Sequence, residues 1–375
     1  MFTAIPVNQG DAFLLQRRNG PTILVDGGRS QRTFPFQLRS FIDGGVDVAV
    51  CTHADADHVN GLIGLLESSI APVREVWLPG QLSERLADIV DPSWDTIDEL
   101  VQNIAESDAD SLEFVTLPER RPPSDGPTEG GEAVDLGSFV RGMVSKRGYW
   151  WDIDRRYYLH RRHGIYMTAA KQNLWFDAID TADRIRRLAM AAHHHGARLR
   201  WFDHDLFSSQ GVPRGGESFL RPLNSVEIQR KPAREKPSVL MALALTVSNR
   251  NSLVFAAPEQ QDWSGVVFSA DSDLDCSGHI PAFQRKAIIT APHHGSEANE
   301  KAYARAAKQM GSSLGWWIRS DGDFGSRPGA TFKKQNPHQR RRTLCTGPSR
   351  APKQPVTFHD GPMGWATASP ACVCP

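Results

Sequence analysis

Val46-Asp47-Val48-Ala49-Val50-Cys51-Thr52 runs straight into His53-Ala54-Asp55-Ala56-Asp57-His58, and four of the last six side chains are metal ligands by chemistry. Alternation along the first seven residues predicts a strand whose Val46, Val48 and Val50 share one buried side and which delivers His53 to its end. Directly afterwards Val59, Leu62, Ile63, Leu65 and Leu66 recur at helical spacing, so Asp57 and His58 stand where a helix begins. Two imidazoles and two carboxylates on one tight turn repel or waste solvation unless a cation satisfies them, and a pair of divalent ions does so. The plainer alternative is a solvated loop that happens to be rich in His and Asp.

Three other stretches bear on the choice. Val7-Asn8-Gln9-Gly10-Asp11-Ala12-Phe13-Leu14-Leu15 is followed by Thr22-Ile23-Leu24-Val25-Asp26-Gly27-Gly28, and later come Val266-Val267-Phe268-Ser269-Ala270-Asp271 and Ala287-Ile288-Ile289-Thr290-Ala291-Pro292-His293-His294-Gly295-Ser296. The His53–His58 turn resembles the metal-binding turn of the metallo-β-lactamase superfamily, whose usual form is His-x-His-x-Asp-His, with Asp55 where the second His stands. The substituted form and its flanks are similar to the hydrolase-like domain of the ComEC competence proteins and their soluble relatives. The resemblance spans roughly residues 1–80 and 220–320.

That resemblance implies an α/β fold, an αββα sandwich of two mixed β-sheets with outer helices, holding two divalent metal ions, Zn2+ or Mn2+. It implies that His53 and Asp55 serve one metal, that Asp57 and His58 serve the other, and that Asp271 bridges them. One of His293 and His294 completes the second site. Asp57, His58 and Asp271 would then carry catalysis, by hydroxide formed on paired metals about 3.5–4 Å apart. Superfamily members usually supply another histidine before the bridging aspartate. Here the candidates are His204, which follows a predicted strand, and His193, His194 and His195, which the helix dipole favours at a helix end. With fewer imidazoles the oxygen-rich set suits manganese at least as well as zinc.

Asp26 either orients a ligand histidine or is a turn residue before Gly27-Gly28, and Asp11 either belongs to the same outer ring or caps a loop. Ser296 and Asn299 stand at a helix start, where free N–H groups bind anions, with simple capping by Ser296 as the alternative. Asp273 and Asp275 belong to the site rim or to a solvated loop.

The 375 residues carry zero formal net charge, so attraction for nucleic acid has to come from local patches. Two exist in the sequence. Arg141 to His163 interleaves Arg155, Arg156, Arg161 and Arg162 with Tyr149, Trp150, Trp151, Tyr157 and Tyr158, and Arg340-Arg341-Arg342 forms a second cluster. Either could instead be a charged surface or an interface for a protein partner from the same gene cluster. The five cysteines form no Cys-x-x-Cys motif and read as reduced thiols of a cytoplasmic protein. The chain opens on a strand-like segment without a charged leader, and no apolar run reaches membrane-spanning length, so no membrane partner is expected.

Four segments organise the chain: 1–117 as the first half of the sandwich, 118–215 as a linker and basic, partly helical insertion, 216–342 as the second half, and 343–375 as a poorly ordered tail. The Pro- and Gly-dense stretch from Pro118 to Gly131 marks the entry to the insertion. Within these segments the patterns predict helices over 96–104, 169–192 and 297–310, and a strand over 238–246. The functional expectation is a phosphodiesterase or nuclease acting on a nucleic acid or nucleotide. Hydrolysis of an ester, lactone or β-lactam is the alternative, and a non-catalytic interaction module is the third.

Overall fold

The computed structural model describes residues 1–80, 181, 184, 185, 187–228, 252–320, 327–344 and 353–372. The predicted helix 96–104, the predicted strand 238–246 and the basic segment 141–163 with Arg155, Arg156, Arg161 and Arg162 lie outside the described residues.

Two mixed sheets form the frame. The first contains β1 (Phe2–Ala4), β2 (Phe13–Gln16), β3 (Thr22–Val25), β4 (Val46–Val50), β5 (Val73–Pro79), β6 (Arg198–Asp203) and β8 (Val226–Ile228), with β14 (Val356–Gly361) and β15 (Gly364–Ala366) outside β1. Strands β3 to β6 run parallel in its centre. The second sheet contains β7 (Arg221–Pro222), β9 (Phe255–Ala257), β10 (Val266–Phe268), β11 (Ala287–Thr290), β12 (Leu314–Arg319) and β13 (Arg340–Arg342). Its β10 to β13 are parallel.

Because side chains alternate across a strand, each sheet contributes to two cores. Phe2, Phe13, Val48, Val50 and Trp77 of the first sheet pack with Phe255, Val266, Phe268 and Ile288 of the second. Ala49 and Cys51, on the other face of β4, pack with α1 (Phe34–Arg39), α2 (Ala56–Ser68) and the helical residues 187–194. Val46 joins this helix-side cluster, not the inter-sheet core that alternation assigns it. The outer face of the second sheet packs on α4 (Glu300–Met310) and on Phe332 of α5 (Ala330–Lys334). The order is therefore helix, sheet, sheet, helix, the mixed α/β sandwich expected.

Several expectations change. The described part of the tail, residues 353–372, is not loose: β14 pairs antiparallel with β1, and Val356, Phe358 and Trp365 are buried in the inter-sheet core. Its Pro and Ser content masked a short alternating pattern that completes a sheet edge. Residues 198–210, assigned by composition to the insertion, form β6 and α3 (His204–Gln210) on the main sheet. The helix over 297–310 begins as a 3-10 turn, Glu297–Asn299, before α4.

Arg340, Arg341 and Arg342 are not a nucleic-acid-binding patch. They are β13, only 2%, 7% and 7% exposed. The Arg340 guanidinium donates to the Cys372 and Phe332 carbonyls, and Arg341 donates to the Ser369 carbonyl while lying over Trp316. Long guanidinium stems can line a core when carbonyls receive their donors.

Helix α2 is seated by glycine contacts. Gly61 N–H donates to the Gly28 carbonyl and Gly27 N–H to the His58 carbonyl, and a Cβ on Gly61 would be driven into the Gly27 carbonyl. Alanine in a helix interior normally gains about 1 kcal/mol over glycine. Here the overpacking term wins, so Gly61→Ala is expected to cost about 3 kcal/mol in urea unfolding. Gly44→Ala, where an added Cβ meets nothing within 4 Å, should stay near wild type. Trp365→Ala should lose about 3–5 kcal/mol, which would separate an integral edge hairpin from a loose tail.

Candidate metal centre

The carboxyl ends of parallel strands from both sheets converge on one place, the usual position of ligand sites in such sheets. Asp26 follows β3, His53 follows β4, Asp271 follows β10, and His293 and His294 follow β11. Asp55 is the N-terminal boundary residue of α2, yet its side chain makes no capping bond there and lies 3.7 Å from His53 Nε2. Asp11 arrives from the β1–β2 connection, where Gly10, at φ +93, passes so close to the Asp57 backbone that no Cβ fits. Only glycine allows that approach without strain.

Asp271 is the centre. Its Oδ1 lies 3.3 Å from His58 Nε2 and 3.6 Å from His294 Nε2, while its Oδ2 lies 3.6 Å from His53 Nε2 and 3.4 Å from His293 Nε2. Two groups of closely spaced donor atoms share it. One is Asp11, His58, Asp271 and His294, the other His53, Asp55 and Asp271. Asp57 borders the first group, with Oδ2 3.7 Å from His294 Nε2. Gln9 Nε2 donates to that Asp57 oxygen at 3.5 Å, and Arg29 holds the Gln9 amide oxygen at 2.6 Å.

Three of the four rings are hydrogen-bonded at their other nitrogen, and the fourth, that of His294, faces a carboxylate there. His58 Nδ1 is 2.8 Å from Asp26 Oδ2, His294 Nδ1 is 3.1 Å from Asp11 Oδ1, His53 Nδ1 is 3.0 Å from Thr52 Oγ1 and His293 Nδ1 is 2.9 Å from Asn299 Oδ1. Asp26 does more than turn the chain. It also accepts from the Thr52 N–H and hydroxyl, so one carboxylate sets His58 directly and His53 through Thr52. Asp26 adopts φ +58, which aims its carboxylate back across the β4 end. Outer oxygen partners of this kind fix the Nδ1–H tautomer and leave Nε2 as a lone-pair donor.

Burial alone would raise the pKa of Asp271, but His293, His294, His58 and His53 around it hold it well below the usual carboxylate range. Burial likewise opposes the charged form of His58, and Asp271 and Asp26 overcome this to push its pKa well up. Asp57 is lowered, its burial penalty outweighed by His58 and His294. The pocket is thus a dense array of mutually compensating charge. Even so, both Asp11 oxygens, Asp271 Oδ1 and His53 Nε2 are buried without a hydrogen bond. Unsatisfied buried donors and acceptors are costly, and a divalent cation among them removes that cost, so the residues fit the metals inferred from sequence.

The other expected residues divide. His204 is not in either group; its Nδ1 contacts Ser208 Oγ at 3.3 Å at the start of α3. His195 is structural, bonding the Leu66 carbonyl and the Val73 N–H, while His193 and His194 are exposed. Ser296 caps, accepting from the Ala298 N–H. Asp273 accepts from the Asn299 amide and Asp275 pairs with Arg305, so neither lies at the cluster. Sequence reasoning missed Thr52, Gln9, Arg29 and Arg319. Arg319, the fully buried last residue of β12, donates from Nε to the His294 carbonyl at 2.5 Å, and no local pattern announces that pairing across 25 residues.

A two-sheet sandwich with outer helices thus carries, at its strand ends, a buried histidine–aspartate cluster able to hold metal. The model of the metallo-beta-lactamase superfamily, a superfamily of metal-dependent hydrolases, matches residues 5–143. The matched stretch contains the His53–His58 turn, while Asp271, His293 and His294 lie beyond it and reach the same centre through the fold. No curated protein matches the chain.

Removing the shared anchor is expected to loosen the ligands without deleting one. Asp26→Ala should weaken Mn2+ or Zn2+ binding about 10–100-fold in a chelator-competition titration. An unchanged titration would reduce Asp26 to a turn residue.

Proposed function

We propose that the chain is a metal-dependent hydrolase that cleaves phosphodiester bonds in a nucleic acid or nucleotide, using two divalent ions, Mn2+ or Zn2+. The observation that carries this reading is the division of Asp271: its two oxygens face different ligand groups, as a carboxylate shared between paired metals must. Ions held there supply Lewis acidity and lower the pKa of bound water toward neutrality. The chain's own residues do the holding. Asp57, His58, His294 and Asp271, with Asp11 beside them, would hold one ion, and His53, Asp55 and Asp271 the other, with Asp26 fixing His58. Four aspartate carboxylates around the imidazoles make an oxygen-rich set, which favours a hard ion and a hard phosphoryl oxygen.

Arg155, Arg156, Arg161 and Arg162, among aromatics suited to stacking on bases, support a polyanionic substrate on sequence grounds. Arg340, Arg341 and Arg342, buried in β13, no longer contribute. Cys51 and Cys276 are buried free thiols, which suits a cytoplasmic setting. Among the described residues no helix is long and apolar enough to cross a membrane.

Hydrolysis of bis(p-nitrophenyl) phosphate and of single- and double-stranded DNA, measured beside a chromogenic β-lactam and a simple ester, tests the reading. Chelation should abolish phosphodiester cleavage and Mn2+ should restore it, and Asp57→Ala and Asp271→Ala should each lower kcat by about a thousandfold. Retained activity in both variants sinks the metal reading. Neutralising the four arginines should raise KM for DNA; turnover confined to the ester or lactam and indifferent to those changes would select the alternative substrate class.

A further inference from the structure

Consecutive strand residues point to opposite faces, so a pair of adjacent histidines ordinarily offers one ring to a site and turns the other away. That is not what happens after β11. His293 has φ +46 and His294 φ +52, two successive left-handed non-glycine residues, and Gly295 follows at φ +81. The bend turns both rings onto Asp271, His294 toward Oδ1 and His293 toward Oδ2. The conformation is unfavourable for ordinary residues. It is braced by Arg319 on the His294 carbonyl and by the His293 N–H on the Ala270 carbonyl.

We infer that the double histidine serves both metals: His294 completes the site of Asp57, His58 and Asp271, and His293, aimed by Asn299, supplies the second imidazole of the site formed by His53, Asp55 and Asp271. The inference rests on the paired-metal reading above and deepens it. Like the other three histidines, His293 has Nε2 toward Asp271 and Nδ1 beside an oxygen, although it stands outside the two groups of most closely spaced donors. The Asn299 amide nitrogen is committed as a donor to the Asp271 carbonyl and to Asp273, so its oxygen is the face left to accept from His293 Nδ1–H. His293 Nε2 is thereby a lone-pair donor. On the same side, His53 Nε2 is buried and lacks a hydrogen-bond partner, so that side asks for a cation independently of His293. His204, which sequence order would favour for this place, is engaged with Ser208 at the start of α3.

The two sites then differ in access. The Asp57, His58 and His294 side chains are 15%, 0% and 1% exposed, and the His53, Asp55 and His293 side chains are 4%, 19% and 25% exposed. The His293 site is the more exposed of the two. Asn299 is a positioning residue, since it acts on the metal through His293.

Full-length protein stripped with chelator and titrated with Mn2+, and separately with Zn2+, should bind two ions of unequal affinity. His293→Ala should keep the tighter ion and weaken the looser at least tenfold, and pulsed electron paramagnetic resonance of the Mn2+-loaded variant should lose one histidine nitrogen coupling. His294→Ala should instead weaken the tighter ion. Asn299→Ala, which removes no ligand, should weaken the looser ion about 10–100-fold, and it decides the matter alone if His293→Ala does not fold. Two ions held with unchanged affinities by His293→Ala, or by Asn299→Ala in that event, would overturn the assignment while leaving the hydrolase reading intact. A wild-type chain that binds no ion would overturn both.

Discussion

One buried carboxylate, Asp271, sits among four imidazoles, and the rest of the centre is arranged to keep it there. Taking a charge out of water costs several kcal/mol unless it is paired and bonded. The chain meets that cost by bringing the ends of β4, β10 and β11 together from two sheets. Each sheet alone would leave the carboxylate or its partners stranded. The outer oxygens of Asp26, Thr52 and Asn299 then fix how the His58, His53 and His293 rings are turned. Packing and chemistry are coupled here: the glycine contact between α2 and the Gly27-Gly28 turn that seats the helix also sets His58 beside Asp26.

The parts legible in sequence were those written locally. The strand, the turn and the helix around His53 to His58 are encoded within about two dozen residues, so period and residue chemistry sufficed to read them. Asp271 and the double histidine were legible because each ends an apolar strand. What the two histidines do was not legible, since alternation predicts divergent side chains and the left-handed pair overrides it. Asp26 was ambiguous for a related reason: a residue before two glycines is turn-like by composition, and only the pairing with Thr52 and His58 distinguishes the roles.

Composition misled where tertiary context reversed its meaning. Three consecutive arginines read as surface, yet β13 buries them because backbone carbonyls and Trp316 receive the guanidiniums. A tail rich in proline and serine read as loose, yet Val356 and Phe358 alternate inward and Trp365 donates its indole N–H to the Gly265 carbonyl. Each is a long-range partnership. Periodicity within a segment carries no information about a partner hundreds of residues away.

The pairing of β1 with β14 sets an order of events during synthesis. Phe2 lies opposite Phe358, so β1 waits for a strand made far later before its outer edge is covered. The donor set is complete only after His294 and Asn299 have emerged, and the chain must hold Asp11, Asp26 and the His53–His58 turn unpartnered until then. Non-local closure of this kind is slow and leaves an open strand edge exposed to other chains meanwhile. A ribosome stalled before residue 356 would therefore present a nascent chain with its ligands assembled but its first sheet unsealed.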